Sequence, residues 1–91
     1  MLPEARRELL IEAGEALYGD QWQRALARAL GPLHPQGPRK RIDDRLVRRW
    51  AAQEQGRDVP EWVLGALRSI AESRASKLQD LLQRLPPKDV P

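Results

Sequence analysis

Ile42-Asp43-Asp44-Arg45-Leu46-Val47-Arg48-Arg49-Trp50 is the stretch on which the fold turns. Residues three and four apart share a helix face, so a helix here has an apolar side (Leu46, Val47, Trp50) and a guanidinium side (Arg45, Arg48, Arg49). Asp43 is placed as its N-cap, and Ile42 and Val47 have the spacing of a hydrophobic staple across that cap. Val47 and Trp50 can then face a core while the three arginines project outward together.

Charge concentrates around this stretch. Residues 39–49 hold Arg39, Lys40, Arg41, Arg45, Arg48 and Arg49 against Asp43 and Asp44, a local +4 in a chain of net charge +3. A positive patch on a near-neutral body is expected of a polyanion binder; a solvated charged face is the plainer reading. The chain lacks cysteine, which excludes a disulfide framework and thiolate metal sites and fits a cytoplasmic protein. No run approaches the ~20 apolar residues of a membrane span, and no signal segment opens the chain. At 91 residues with 32% charged, one domain is expected, with little room for a large pocket.

Outward from this stretch the chain reads as all-α, because it has no Phe, one Tyr and no sustained alternation. The spacing predicts four helices, at about 4–18, 20–30, 43–54 and 59–85, in a single domain over 1–85 with a disordered tail at 86–91. The first carries Leu9, Leu10, Ala13, Ala16 and Leu17 as its stripe, with Gly14 inside it and Gly19 as its stop. Asp20 and Gln23 have capping-box spacing for the second, in which Trp22, Leu26 and Leu30 recur every four residues. Three prolines and two glycines between Gly31 and Arg41 exclude a regular element there and predict a mobile loop. Gly56 is placed to end the third helix, and Asp58 and Glu61 repeat the capping-box spacing before the fourth. The fourth is long, stops at Pro86-Pro87, and keeps a seam at Leu67, Ala71, Arg74, Leu78, Leu81 and Leu85. Either the first helix covers its protruding end or a second subunit does.

The second and third helices resemble a helix-turn-helix. The matching residues are Trp22-Gln23, Leu26-Ala27, Leu30-Gly31 and Ile42 to Trp50, with small Ala27 where two helices must approach closely. Leu-Tyr-Gly-Asp-Gln-Trp (Leu17 to Trp22) and Val-Pro-Glu-Trp (Val59 to Trp62) look like the flanks of small phage and prophage regulators of the Cro/C1-like superfamily. The likeness covers roughly residues 9–75. It departs from those relatives in ten extra residues, Pro32 to Arg41, within the turn, and in Gln53 where a glycine is common. Loop length costs only about 0.6 kcal/mol per doubling, so the helix pair can survive the insertion. Its angle is then left to the packing of Ile42, Val47 and Trp50.

The resemblance implies that Asp44, Arg45, Arg48 and Arg49 meet base edges. Arg can bridge guanine O6 and N7, and Asp can accept from a cytosine amino group; Asp44 serving its own helix N-terminus is the other reading. Gln23 and Arg24 would touch phosphate. Arg39, Lys40 and Arg41 would grip the backbone or enter the minor groove as a flexible arm, or else simply keep the loop extended. Trp22, Trp50 and Trp62 sit on apolar stripes with Leu26, Ala27, Leu30, Ile42 and Val47, as core residues rather than base-stacking platforms. His34 has no partner for a metal site, Glu4, Glu8, Glu12 and Glu15 have the spacing of a solvent face, and no nucleophile–base pair stands out. No enzyme, cofactor or metal is expected. The expectation is a dimeric repressor that binds double-stranded DNA at a palindromic operator, with Arg74, Leu78, Leu81 and Leu85 at its dimer interface. Structured RNA or a protein partner are the rival ligands.

Overall fold

A computed structural model describes residues 1–52 and 57–88. Among these the chain is all-helical: α1 (Pro3–Tyr18), α2 (Trp22–Leu30), one 3-10 turn (Gly31–Leu33), α3 (Asp44–Ala51) and α4 (Glu61–Arg84). The expected end of the third helix at Gln53–Gly56 lies outside the described residues, as does the end of the tail; α3 itself stops at Ala51.

Helices α1 and α2 form the centre against which both α3 and α4 pack. Leu10, Leu26, Leu30, Val47, Val59 and Val63 are fully buried, joined by Trp22, Ala27, Ile42, Trp50, Ala66 and Leu67. The stripe of α1 is narrower than its sequence indicates. Leu9 and Ala16 face solvent, while Leu10 and Gly14 are buried. Gly14 is where the Trp22 indole crosses α1, and a Cβ there would collide with its six-membered ring. A residue unfavourable for the isolated helix thus creates the seat for the first tryptophan of α2.

Two expected capping boxes are absent. Helix α2 begins at Trp22, two residues late, with Gln21 in the N-cap position and no side-chain cap. Helix α4 begins at Glu61 with Pro60 at the N-cap, so Asp58 does not cap it. Burial of Val59 just ahead of α4 holds that segment extended against the core, which outweighs a local side-chain bond. The cap on α3 forms as read: Asp43 accepts the Arg45 backbone N–H at 2.9 Å, with Ile42 and Val47 both buried around it.

The segment after α2 departs most from expectation. It opens with a 3-10 turn and is tied down by backbone bonds: His34 N–H to Gly31 O (3.2 Å), Gly37 N–H to His34 O (3.1 Å), Arg39 N–H to Gly31 O (2.9 Å) and Ile42 N–H to Ala27 O (3.0 Å). The last four carbonyls of a helix lack intrahelical donors, and Ile42 supplies one to Ala27 in the final turn of α2. The ten-residue insertion therefore returns to α2 through hydrogen bonds, and packing is not alone in setting the α2–α3 angle. Gly31 is buried where the chain returns; a Cβ on it would meet the Arg41 backbone at 2.5–2.6 Å.

Arginines satisfy other backbone carbonyls. Arg7 Nη1 donates to Ala51 O at the end of α3 (3.2 Å), Arg6 Nη1 to Val59 O (3.3 Å), and Arg74 Nη1 to Leu17 O in the last turn of α1 (3.1 Å). Arg74 also lies 5.5 Å from the centroid of the Tyr18 ring, within cation–π range. The guanidinium expected in a subunit interface is thus engaged within its own chain.

Helix α4 spans about 36 Å at 1.5 Å per residue. Every residue of it from Ala71 onward is exposed, including Leu78 (52%), Leu81 (41%), Leu82 (65%) and, just past its end, Leu85 (58%). Helix α1 does not cover this seam. The molecule measures 57 × 27 × 24 Å with a radius of gyration of 15.5 Å, against ~12 Å for a compact domain of this length. No helix among the described residues is long and apolar enough to cross a membrane.

Candidate nucleic-acid interface

Helix α3 presents the candidate side chains outward because its other face is occupied. Val47 and Trp50 are buried, Leu46 is partly buried, and Arg45, Arg48 and Arg49 are exposed on the opposite side. Gln21, Gln23 and Arg24 of the α2 entrance share a depression with Arg48. The structure therefore brings together the start of the second helix and the outer face of the third. Those are the positions singled out in the sequence for backbone and base contact.

The arginines of α3 are not equivalent. Arg45 grips the Asp43 carboxylate through Nε (3.3 Å) and Nη2 (3.2 Å). These bonds, with the backbone N–H of Arg45 and the nearby charges of Arg45 and Arg49, hold the Asp43 carboxyl below its usual range. The same side-chain bond raises Arg45. Arg48 pairs with Asp44 at 3.4 Å, one helical turn apart. Of the two roles open to Asp44, the helix-serving one is visible: it lies in the first turn of α3 and neutralises a guanidinium of its own helix. Exposed pairs of this kind are weak and screened by salt, so a strong acceptor can displace them.

The loop cations are placed differently. Lys40 and Arg41 line a depression together with Arg28 of α2, and Arg41 also borders the depression that holds Asp43, Asp44 and Arg45. Arg39 is exposed and contributes its backbone N–H to Gly31. Arg28 was not among the residues singled out in the sequence. Its spacing of four from Arg24 on the outer face of α2 was the available signal. Arg6 and Arg7 were missed as well, and nothing local marks them as donors to the carbonyls of Val59 and Ala51.

Trp22 and Trp50 are core residues at 3% and 4% exposure. Trp62 is partly buried at the edge of the core, its ring 5.1 Å from that of His34. His34 Nδ1 accepts the Gln36 N–H at 3.1 Å, so the lone histidine organises the loop. Compared with protein-family models, with curated proteins and with solved structures, the chain has no match.

Proposed function

We propose that this protein is a sequence-specific double-stranded DNA-binding regulator of the helix-turn-helix type. The observation that carries the reading is α3 itself. It is an N-capped helix of eight residues held on α2 by buried Ile42, Val47 and Trp50, with its arginines facing out beside Gln23 and Arg24. An α-helix with its side chains is about 10–12 Å across, which the major groove admits. Around α3 the cations Arg24, Arg28, Arg39, Lys40, Arg41, Arg45, Arg48 and Arg49 outnumber Asp43 and Asp44, on a chain of net charge only +3. The rest of the molecule is net negative and does not compete for phosphate.

In this mechanism Arg48 and Arg49 read base edges, and Arg45 and Arg48 exchange their aspartate partners for DNA acceptors as the helix enters. Gln23 and Arg24 fix the orientation on the backbone. The protein acts as a homodimer through the exposed α4 leucines and represses by occluding a promoter, its two α3 helices in half-sites about one helical turn apart. Selection from randomised duplexes tests this. A two-fold symmetric consensus is expected, and Arg48→Ala or Arg49→Ala should relax preference at defined positions by roughly ten-fold. Retention of the wild-type preference by both variants would remove α3 from base reading. Salt-sensitive binding without a consensus would replace the reading with nonspecific or RNA binding.

A further inference from the structure

Arg28, Lys40 and Arg41 converge on one depression between α2 and the inserted loop. Among the described residues none of the three is in an ion pair, whereas Arg45 and Arg48 each have an aspartate. The two loop cations are also bracketed by fixed backbone. Arg39 N–H is bonded to Gly31 O on one side and Ile42 N–H to Ala27 O on the other. The absent side chain of Gly31 lets the Arg41 backbone lie directly against α2.

All three side chains are exposed beside one another around this depression, and charge-assisted bonds to phosphate oxygens are the strong, short kind. We infer that Arg28, Lys40 and Arg41 form a fixed phosphodiester-binding site that clamps the backbone of duplex DNA. It is not a flexible arm. The inference rests on the DNA-binding reading above and deepens it. Because Arg41 borders the depression of Asp43, Asp44 and Arg45, the bound phosphate lies beside the α3 N-terminus. The two aspartates repel phosphate from that terminus, so the backbone is received at the loop and α3 is left to the groove. The insertion thereby sets the register of α3 on the duplex.

The test uses the full chain and its selected duplex. Log affinity against log salt should lose roughly two to three units of slope in the variant Arg28→Gln, Lys40→Gln, Arg41→Gln. The variant Arg68→Gln, Lys77→Gln, Arg84→Gln removes the same charge from α4 and should leave the slope nearly unchanged. Gly31→Ala keeps every charge but displaces the loop, and should lose part of the slope while circular dichroism shows the helices retained. An unchanged slope in the loop variant, or an equal loss in the α4 control, overturns the site. A second arm titrates the wild-type chain with inorganic pyrophosphate and follows the amide shifts of Lys40 and Arg41. Shifts that vanish in the loop variant support the site even if no duplex binds, in which case the DNA reading alone falls. No shifts, with no duplex binding, overturn both.

Discussion

Asp43 shows how one side chain can cap a helix and restrain its charge. Its carboxylate accepts hydrogen bonds from the Arg45 backbone N–H and from Nε and Nη2 of the Arg45 side chain, and these bonds lower its proton affinity. A depressed folded-state value means that the stabilisation is complete above the ordinary 3.8 and is lost as pH falls below it through the folded value. Asp43→Ala should therefore lower Tm by about 4–8 °C at neutral pH. The gap to wild type should shrink as pH falls below 3.8 and the carboxylate takes up its proton. Thermal melts by circular dichroism check this, and a gap that stays constant to pH 2 would show that the charge is not what caps α3. Under the proposed DNA-binding reading the same restraint carries a cost, since Arg45 and Arg48 would leave Asp43 and Asp44 before meeting a base.

At the scale of the element, α3 is too short to be stable alone, because isolated helices below ~12–15 residues are marginal in water. Its existence depends on its contacts: Val47 and Trp50 against the core, Ile42 N–H on Ala27 O, and Arg7 on Ala51 O. Trp50 is 4% exposed, and Trp50→Ala should cost about 3–5 kcal/mol, a large part of the ~5–15 kcal/mol of a typical domain. Trp62, at the edge of the core beside His34, should cost clearly less on the same substitution. Urea unfolding measures both. A Trp62→Ala loss equal to or greater than that of Trp50→Ala would mean that α3 is not anchored as described.

At the scale of the whole molecule, half of α4 projects from the core with Leu78, Leu81, Leu82 and Leu85 uncovered. Arg68–Glu72 and Asp80–Arg84 are paired along the same helix, so its flanks offer no single-sign rim to attract an oppositely charged partner. A second copy of the helix suits such a face. Sedimentation should find a dimer at micromolar concentration that Leu78→Asp and Leu81→Asp convert to folded monomer; a folded wild-type monomer would exclude this interface. How much of the molecule could be read in advance follows from the range of the forces involved. The placement of the helices along the chain, the cap and staple of α3, its two faces and the stops at Gly19 and Pro86 are encoded by residues within about four positions of one another. The sequence by itself determined them. The pairing of Asp44 with Arg48 was equally local and could have been read from its spacing. The hydrogen-bonded return of the loop to α2, the depression shared by Arg28, Lys40 and Arg41, and the seats made by Gly14 and Gly31 were decided only by the tertiary structure. So were the bond of Arg6 to Val59 and the helix-end bonds of Arg7 and Arg74, the last reaching Leu17 across 57 positions. A carbonyl at a helix end accepts whatever donor the packing brings to it, and no local pattern names a donor that far away.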